Sequence, residues 1–113
     1  RIQKRTGTTT AQYRDFVFDQ FDGTTYTPLM ILKADTKVGI GTSTPQTLLD
    51  VAGQARVKPV AFSSLPAASA SIQGAIAAVT DSTTNTWGAT ISGGGSNKVL
   101  AYCNGTNWTV AAK

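Results

Sequence analysis

Three aromatic and two asparagine residues occur within 22 positions of sequence near the C-terminus of this 113-residue chain. A flat aromatic ring can stack on the C–H face of a sugar, and an asparagine amide can donate to and accept from its hydroxyl groups. The same rings could equally form the core of a small β domain, and both interpretations stay open for each ring. The five candidate ligand-binding residues are Trp87, Tyr102, Asn104, Asn107 and Trp108.

The rest of the chain offers little for catalysis. It has no His and no Glu, so the usual Ser-His-Asp and Cys-His arrangements cannot be built within it. A zinc site containing His is excluded, and the single Cys103 cannot supply four thiolates. Two of the six Asp residues could act as a glycosidase pair, but nothing in their spacing indicates one. We therefore predict no enzyme activity, no metal ion and no cofactor.

The composition predicts an all-β fold. The chain holds 18 Thr, 15 Ala, 11 Gly and 8 Ser, which together make up 52 of its 113 residues. Thr favours strands, whereas Gly and Ser favour turns. Because 41% of the residues are hydrophobic, the composition is not that of a disordered chain. We expect an ordered chain of strands and turns.

Large apolar residues are few, so one copy of the chain would bury only a thin core. Small domains of this kind are usually stabilised by disulfides, by a metal ion or by association with other chains. The single cysteine excludes a disulfide within the chain, and a metal site has little support. Oligomerisation is therefore the expected source of stability.

The net charge of +4 is not concentrated on one element. Arg1, Lys4 and Arg5 supply three of the ten basic residues, and the other seven are scattered against six Asp. Nucleic-acid-binding proteins usually cluster Lys and Arg along one face, so we expect no nucleic-acid partner. No apolar run is long enough to cross a membrane as a helix, so we expect no membrane insertion. The chain starts without a Met, and we expect it to be a piece of a longer protein.

Strand and turn signals dominate the first half of the chain. Residues 1–12 are basic and then Thr-rich, and we expect them to form a lead-in arm. Apolar–polar alternation around Phe16 predicts a half-buried strand. The pair at 22–23, Asp-Gly, predicts a turn into a second strand over 26–32 and hence a hairpin. Pro28 predicts that this second strand begins irregularly or lies at an edge.

A change in composition to Ser, Ala and Pro over residues 63–73 is the best candidate for a boundary between two parts of the chain. The Ala-rich segment over 67–78 could suggest a helix, but its Gly and β-branched residues favour a loop followed by a strand. The Asn-Gly pair at 104–105 predicts a hairpin turn. Further short strands are predicted at 37–40, 87–91, 99–102 and 107–110.

Residues 38–53 carry a specific motif. They read Val-Gly-Ile-Gly-Thr, then small residues and Pro45, then Leu-Leu-Asp-Val and Gly53. This pattern resembles a segment of the tail fibres and tailspikes of bacterial viruses, and the preceding Phe-x-Phe hairpin also matches that family. The C-terminal stretch resembles another fibre element, more loosely, in its Gly-Gly-Gly-Ser and Asn-Gly-Thr-Asn-Trp segments. Together the two resemblances cover roughly residues 13–111.

The resemblance implies an elongated, intertwined homotrimeric fibre segment with a small β-rich C-terminal tip, located on the virion. Residues 13–62 would form the shaft or neck, and residues 63–113 the tip. Gly39 and Gly41 would then allow close backbone approach between chains or a positive φ at a tight crossing. Pro45 would hold the extended exit from that crossing.

Three functions remain open on this basis. The first is a structural and receptor-binding part of a phage tail fibre, attached noncovalently to a bacterial surface glycan or protein. The second is a capsid- or tail-attached assembly part that has no receptor site and docks on other virion proteins. The third is a fragment of a depolymerase tailspike whose catalytic part lies elsewhere.

Overall fold

The computed structural model describes residues 2–6 and 14–113, which form two β-sheets and almost no helix. The prediction of an all-β fold is confirmed. The chain divides into two compact units, residues 1–55 and 56–113, each with its own sheet. The strands are β1 (Ile2–Thr6), β2 (Arg14–Phe21), β3 (Tyr26–Leu32), β4 (Val38–Ile40), β5 (Leu49–Val51), β6 (Ile76–Ser82), β7 (Asn97–Cys103) and β8 (Trp108–Ala112). Two single-turn 3-10 helices span Phe62–Ser64 and Ala70–Ile72.

The N-terminal unit is a five-stranded sheet in which the strands follow chain order. β1 to β4 are antiparallel to their neighbours, whereas β5 runs parallel to β4. Residues 2–6, which the sequence assigned to a lead-in arm, form the edge strand β1; positions 1 and 7–12 lie outside the described residues. An edge strand needs only backbone hydrogen bonds to one neighbour, so it can form without an apolar alternation.

The first hairpin is present where the sequence predicts it. The Asp22 side chain closes the turn by accepting hydrogen bonds from the backbone N–H groups of Thr24 and Thr25, at 2.9 and 2.8 Å. Gly23 has a φ of +100°, which an L side chain rarely adopts. As predicted, β3 begins irregularly at Pro28: the β2–β3 register shifts by one residue there, and the pairing of β3 with β4 starts only at Met30. Such a bulge accommodates a residue that has no N–H to donate.

Cross-strand pairing places apolar side chains together on one face of this sheet. Phe16 pairs with Leu32, and Phe18 pairs with Met30. The two phenylalanine rings contact each other edge to face, with centroids 5.3 Å apart. The pairs continue across β4 and β5. We call this surface the apolar face; it consists of Phe16, Phe18, Met30, Leu32, Val38, Ile40, Leu49 and Val51.

The opposite face is covered by the connection between β4 and β5, residues 41–48. Val17 and Ile31 are buried on this side, as is Pro45 of the connection. A parallel pair usually needs a crossover of a dozen residues or more. Here the connection turns sharply, with a φ of +71° at Gly41, and Gln46 N–H donates to the Asp50 carboxylate at 2.9 Å.

The C-terminal unit is an antiparallel meander in the order β6-β7-β8. Its inner face carries the largest buried cluster of the chain among the described residues. The 3-10 helices and the loop between them pack over this cluster and supply partly buried apolar side chains. The buried members are Ala77, Val79, Ile91, Val99, Ala101, Cys103, Trp108 and Val110, and the covering residues are Phe62, Leu65, Ala68, Ile72 and Ala75.

The predicted strand over 87–91 is wrong in its first half. Trp87 and Gly88 form a turn, and only Thr90 makes a ladder bridge, to Thr109. The segment nevertheless follows the outer edge of β8, since Gly88 N–H donates to the Val110 carbonyl at 2.9 Å and Ile91 N–H to the Trp108 carbonyl at 2.8 Å. The segment over 67–78 is a loop with one 3-10 turn followed by a strand, as predicted.

The two units divide between residues 55 and 56, seven residues before the predicted boundary. The reason is that Val60 already belongs to the second sheet. Its N–H donates to the Ala78 carbonyl at 2.9 Å, and its carbonyl accepts from Thr80 N–H at 3.0 Å. Both bonds lie along the free edge of β6, so the chain joins the C-terminal unit before the Ser, Ala and Pro segment begins.

Candidate binding site at the hairpin end of the C-terminal unit

The β7–β8 hairpin turn is organised by Asn104. Its Oδ1 accepts hydrogen bonds from the backbone N–H groups of Thr106 and Asn107, at 3.0 and 2.8 Å. Gly105 has a φ of +94°, as the Asn-Gly signal requires. The side-chain oxygen of Asn104 is therefore occupied by the backbone of the turn. The Asn107 side chain, by contrast, is exposed at the end of the turn.

Trp108 is a core residue that also borders the candidate site. Its side chain is only 5% exposed. The indole Nε1–H donates to the Pro66 carbonyl at 2.9 Å, which fixes the loop after the first 3-10 helix against the sheet. Because the ring is packed on the core, its broad face is not open to a ligand.

A cleft of about 220 Å³ lies beside Trp108. One wall is the apolar loop over residues 65–68 together with Phe62, and the other carries Thr90, Thr106 and Asn107. The three polar residues are exposed, so their hydroxyl and amide groups can reach a ligand. An apolar wall opposite neutral hydrogen-bonding groups suits a sugar, which has C–H faces and hydroxyl edges.

Asp81 holds one wall of this cleft in position. Its carboxylate accepts hydrogen bonds from Phe62 N–H at 2.7 Å and from Gly94 N–H at 3.2 Å. Both hydrogen bonds hold the pKa of Asp81 below its usual value, and the one from Phe62 N–H has the larger effect. The charged carboxylate thus joins the first 3-10 helix to the turn at 93–95, and it acts on the cleft only through Phe62.

The five candidate receptor residues do not form one site. Asn104, Asn107 and Trp108 share the hairpin end, and Tyr102 pairs with Thr109 close to it. Tyr102 projects from the outer face of the sheet, away from the buried Ala101 and Cys103 that flank it in β7. Trp87 is 63% exposed on its turn, and it lies three residues before Thr90, toward the opposite end of β8.

Phe62, Thr90 and Thr106 line the cleft but were not singled out from the sequence. Thr106 lies between two candidate asparagines, so its position in the hairpin turn was an available signal. Thr90 and Phe62 reach the cleft only because residues 88–91 follow β8 and because Asp81 anchors the first 3-10 helix. No local pattern in the sequence indicates either contact.

The outer face of the same sheet carries a second, shallower groove of about 340 Å³. Its apolar lining comes from Pro59, Ala78, Leu100 and Ala112, with the two cationic residues Lys98 and Lys113 at the groove. It contains none of the five candidate receptor residues, and it offers few hydrogen-bonding groups besides the two amines. The cleft at the hairpin end is therefore the better candidate for a sugar.

The residues expected at a trimer crossing have structural reasons within one chain. A Cβ at Gly39 would overlap the Thr42 carbonyl oxygen and lie 2.9 Å from Cγ2 of Ile31. Gly41 has the positive φ already described, and Pro45 is buried. The motif thus makes the tight β4–β5 connection possible, and a crossing between chains at these residues stays a prediction.

Within residues 2–6 and 14–113, no group of three or more metal-ligating side chains was found. The described part of the chain also has no helix that is both long and apolar enough to span a membrane. Comparisons of the chain with protein-family models, with curated proteins and with solved structures gave no match.

Proposed function

We propose that this chain is a structural and host-receptor-binding part of a phage tail fibre. In this proposal the N-terminal unit contributes to a homotrimeric shaft or neck on the virion. The C-terminal unit is the tip, and it attaches noncovalently to a glycan or protein of the bacterial surface. The resemblance of residues 38–53 to fibre sequences supports the class of protein.

The cleft at the hairpin end is the observation that carries the receptor part of the proposal. It combines an apolar wall, the loop over residues 65–68, with the exposed amide of Asn107 and the hydroxyl groups of Thr90 and Thr106. All of these groups are neutral, which favours a neutral sugar over a strongly charged ligand. A site of this size takes one or two sugar rings, so binding at a single tip would be weak. Three equivalent tips would compensate through avidity.

Binding of the fluorescently labelled chain to a panel of bacterial cells tests this proposal. The variant Asn107→Ala removes the exposed amide, and we expect it to weaken binding about 2- to 13-fold per site, which corresponds to one lost hydrogen bond of about 0.5–1.5 kcal/mol. The matched control is Asn85→Ala, which removes an exposed amide that does not line the cleft. Periodate treatment of the cells would abolish binding to a glycan, whereas protease treatment would abolish binding to a protein.

Two results would contradict the receptor role. If the chain bound no cell type in the panel, the role of an assembly part that docks on other virion proteins would be favoured instead. If both asparagine variants bound like the wild type, the cleft would not be the receptor site. Release of new reducing ends from host polysaccharide would contradict the noncovalent, non-enzymatic role.

A further inference from the structure

The turn between β7 and β8 contains an asparagine that is followed directly by glycine. The chain has four asparagines, and those at positions 85, 97 and 107 precede Thr, Lys and Trp, so the pair occurs once in the sequence. Asn104 is exposed at the end of the hairpin, and its neighbours Thr106 and Asn107 line the cleft. A chemical change at Asn104 would therefore take place beside the proposed receptor site.

An exposed Asn-Gly pair can react within itself, because glycine has no side chain to hinder the approach of its nitrogen. The backbone nitrogen of Gly105 attacks Cγ of Asn104, the bond from Cγ to the side-chain nitrogen breaks, and that nitrogen leaves as ammonia with the proton of Gly105 N–H. Water then opens the cyclic imide at either of its two carbonyl carbons, which gives an aspartate or an isoaspartate. One amide and one water thus become one carboxylate and one ammonium ion, and no other reactant is needed.

The hydrogen bonds of the turn favour the first step of this reaction. Oδ1 of Asn104 accepts from Thr106 N–H at 3.0 Å and from Asn107 N–H at 2.8 Å. These two donors draw electrons away from Cγ, and they stabilise the negative charge that develops on Oδ1 during the attack. Within the described part of the chain, Gly105 N–H donates to no acceptor, so solvent can remove its proton.

The conformation of the turn excludes the substitution that would slow the reaction. A side chain on the residue after asparagine hinders the attacking nitrogen. Position 105 does not readily accept one, because its φ is +94° and a Cβ there would lie 3.2 Å from Oε1 of Gln73. The hairpin therefore depends on the same glycine that makes Asn104 reactive.

The turn between β2 and β3 provides a comparison within the chain. Asp22 accepts from the N–H groups of Thr24 and Thr25 at 2.9 and 2.8 Å, and it also precedes a glycine of positive φ. These hydrogen bonds, with the larger effect from Thr25, hold the pKa of Asp22 below its usual value, so its ionised carboxylate resists attack at neutral pH. The neutral amide of Asn104 lacks this protection. The comparison also indicates that an aspartate at position 104 would hold the same turn.

The two products would affect the cleft differently. An aspartate keeps the side-chain oxygen and adds one negative charge beside the cleft. An isoaspartate routes the main chain through Cγ, which adds one methylene group to the backbone of the turn. The hairpin is closed by the Asn104 N–H group, which donates to the Asn107 carbonyl at 3.0 Å, and by the pairing of Cys103 with Trp108. A longer backbone inside this closed turn would displace Thr106 and Asn107 from the cleft.

We propose that Asn104 is a site of spontaneous deamidation and that its conversion alters the cleft as the protein ages. The reaction depends only on the turn, whereas its effect on receptor binding rests on the proposed function. All polar groups of the cleft are neutral, so a new charge or a displaced Asn107 amide would weaken the binding of a neutral sugar.

Peptide mapping by mass spectrometry tests the reaction. The full chain is incubated at mildly alkaline pH in water enriched in heavy oxygen, which marks each carboxylate formed during the incubation. An unfolded peptide of residues 98–110 is the reference for complete reaction, and Asn85, Asn97 and Asn107 are controls within the chain. We expect conversion at position 104 only, within the period in which the peptide reacts, and at a rate that rises with pH because Gly105 must lose a proton. A folded chain that keeps the amide of Asn104 throughout that period would overturn the proposal.

The effect on the cleft is tested with the variant Asn104→Asp, which contains the charged product but no reactive amide. Fresh and aged samples of the wild type and of this variant are compared by Tm and by binding to cells. We expect the Tm and the binding of the wild type to fall with age, as isoaspartate accumulates, while those of the variant stay constant. A fully converted wild type that kept both values would overturn the effect on the cleft. A fresh chain that bound no cells would contradict the proposed function but not the reaction, because mapping and Tm need no cells.

Discussion

The Asp81 carboxylate lies 2.7 Å from the backbone nitrogen of Phe62, nineteen positions earlier in the chain. This hydrogen bond joins the C-terminal end of β6 to the first 3-10 helix, and it restrains Phe62, which lines the cleft. The same carboxylate accepts from Gly94 N–H, so one side chain restrains two loops. The geometry of the cleft is thereby linked to the ionisation of one acid.

Stability should therefore depend on pH through Asp81. Its pKa in the folded chain is lowered from the usual 3.8, so its contribution is complete above that value and is lost as the pH falls through the lowered folded pKa. Asp81→Asn keeps the shape but removes the charge, and we expect a lower Tm at pH 6. The difference from the wild type should shrink as the pH is lowered below 4, and thermal unfolding followed by circular dichroism measures it.

Asp35→Asn is the control for this experiment. Asp35 forms only an exposed ion pair with Lys37, at 3.1 Å, and it restrains no loop. We expect its Tm to match that of the wild type at every pH. A constant difference between Asp81→Asn and the wild type from pH 2 to pH 6 would contradict the role of the Asp81 charge.

The two tryptophans should respond very differently to the same substitution. Trp108→Phe keeps an aromatic ring in the core but leaves the Pro66 carbonyl without its donor, so we expect it to lower the free energy of unfolding by about 1–3 kcal/mol. Trp87→Phe alters an exposed side chain on a turn, and its effect should stay within about 0.5 kcal/mol. Urea unfolding measures both values, and similar losses would show that Trp87 is packed in solution.

Gly39 and Gly41 should be distinguished by substitution with Asn. Gly41 has a positive φ, but a Cβ added there would make only ordinary van der Waals contacts. Asn adopts a positive φ more readily than Ala does. We therefore expect Gly41→Asn to be more stable than Gly41→Ala.

Gly39 is limited by space, because any Cβ meets the Thr42 carbonyl oxygen. Gly39→Ala and Gly39→Asn should both be destabilised, by about 1–3 kcal/mol or more, with no advantage for Asn. Urea unfolding of the four variants gives the comparison. An Asn advantage at position 39 would mean that conformation, and not close approach, requires this glycine.

Cys103 should be inert to thiol reagents until the C-terminal unit unfolds. Its side chain is fully buried in the inner face of β7, and its Sγ lies 3.9 Å from the Ser69 carbonyl oxygen. At high reagent concentration, the rate of reaction with an aromatic disulfide reagent should therefore level off at the rate of unfolding. Rapid labelling of the native chain, proportional to the reagent concentration, would contradict this burial.

Local chemistry explains which elements could be predicted from the sequence. The turns at Asp22 and Asn104 were predictable because in each case the side chain bonds to backbone groups two and three residues later. The strands that flank these turns are rich in aliphatic and aromatic residues. The loop over 67–75 was also predictable, because the Gly and β-branched residues of this segment and of the strand after it disfavour a helix.

Contacts between distant segments explain what could not be predicted. The pairing of β1 with β2 depends on an available sheet edge and not on the composition of residues 2–6. The turn at Trp87 follows from the way residues 88–91 bond to β8. The same long-range contacts bring Phe62 and Thr90 to the cleft, so only its Asn107 and Trp108 side could be recognised in advance.

Both edges of the C-terminal sheet are occupied by backbone from the same unit. Val60 bonds along the free edge of β6, and residues 88–91 bond along the free edge of β8. An uncovered edge strand is a template for adding strands from other molecules, and this is a common start of aggregation. In the proposed homotrimeric fibre, the C-terminal units of neighbouring chains would meet each other at high local concentration. Because their sheet edges are already paired, they can touch repeatedly without polymerising through their strands.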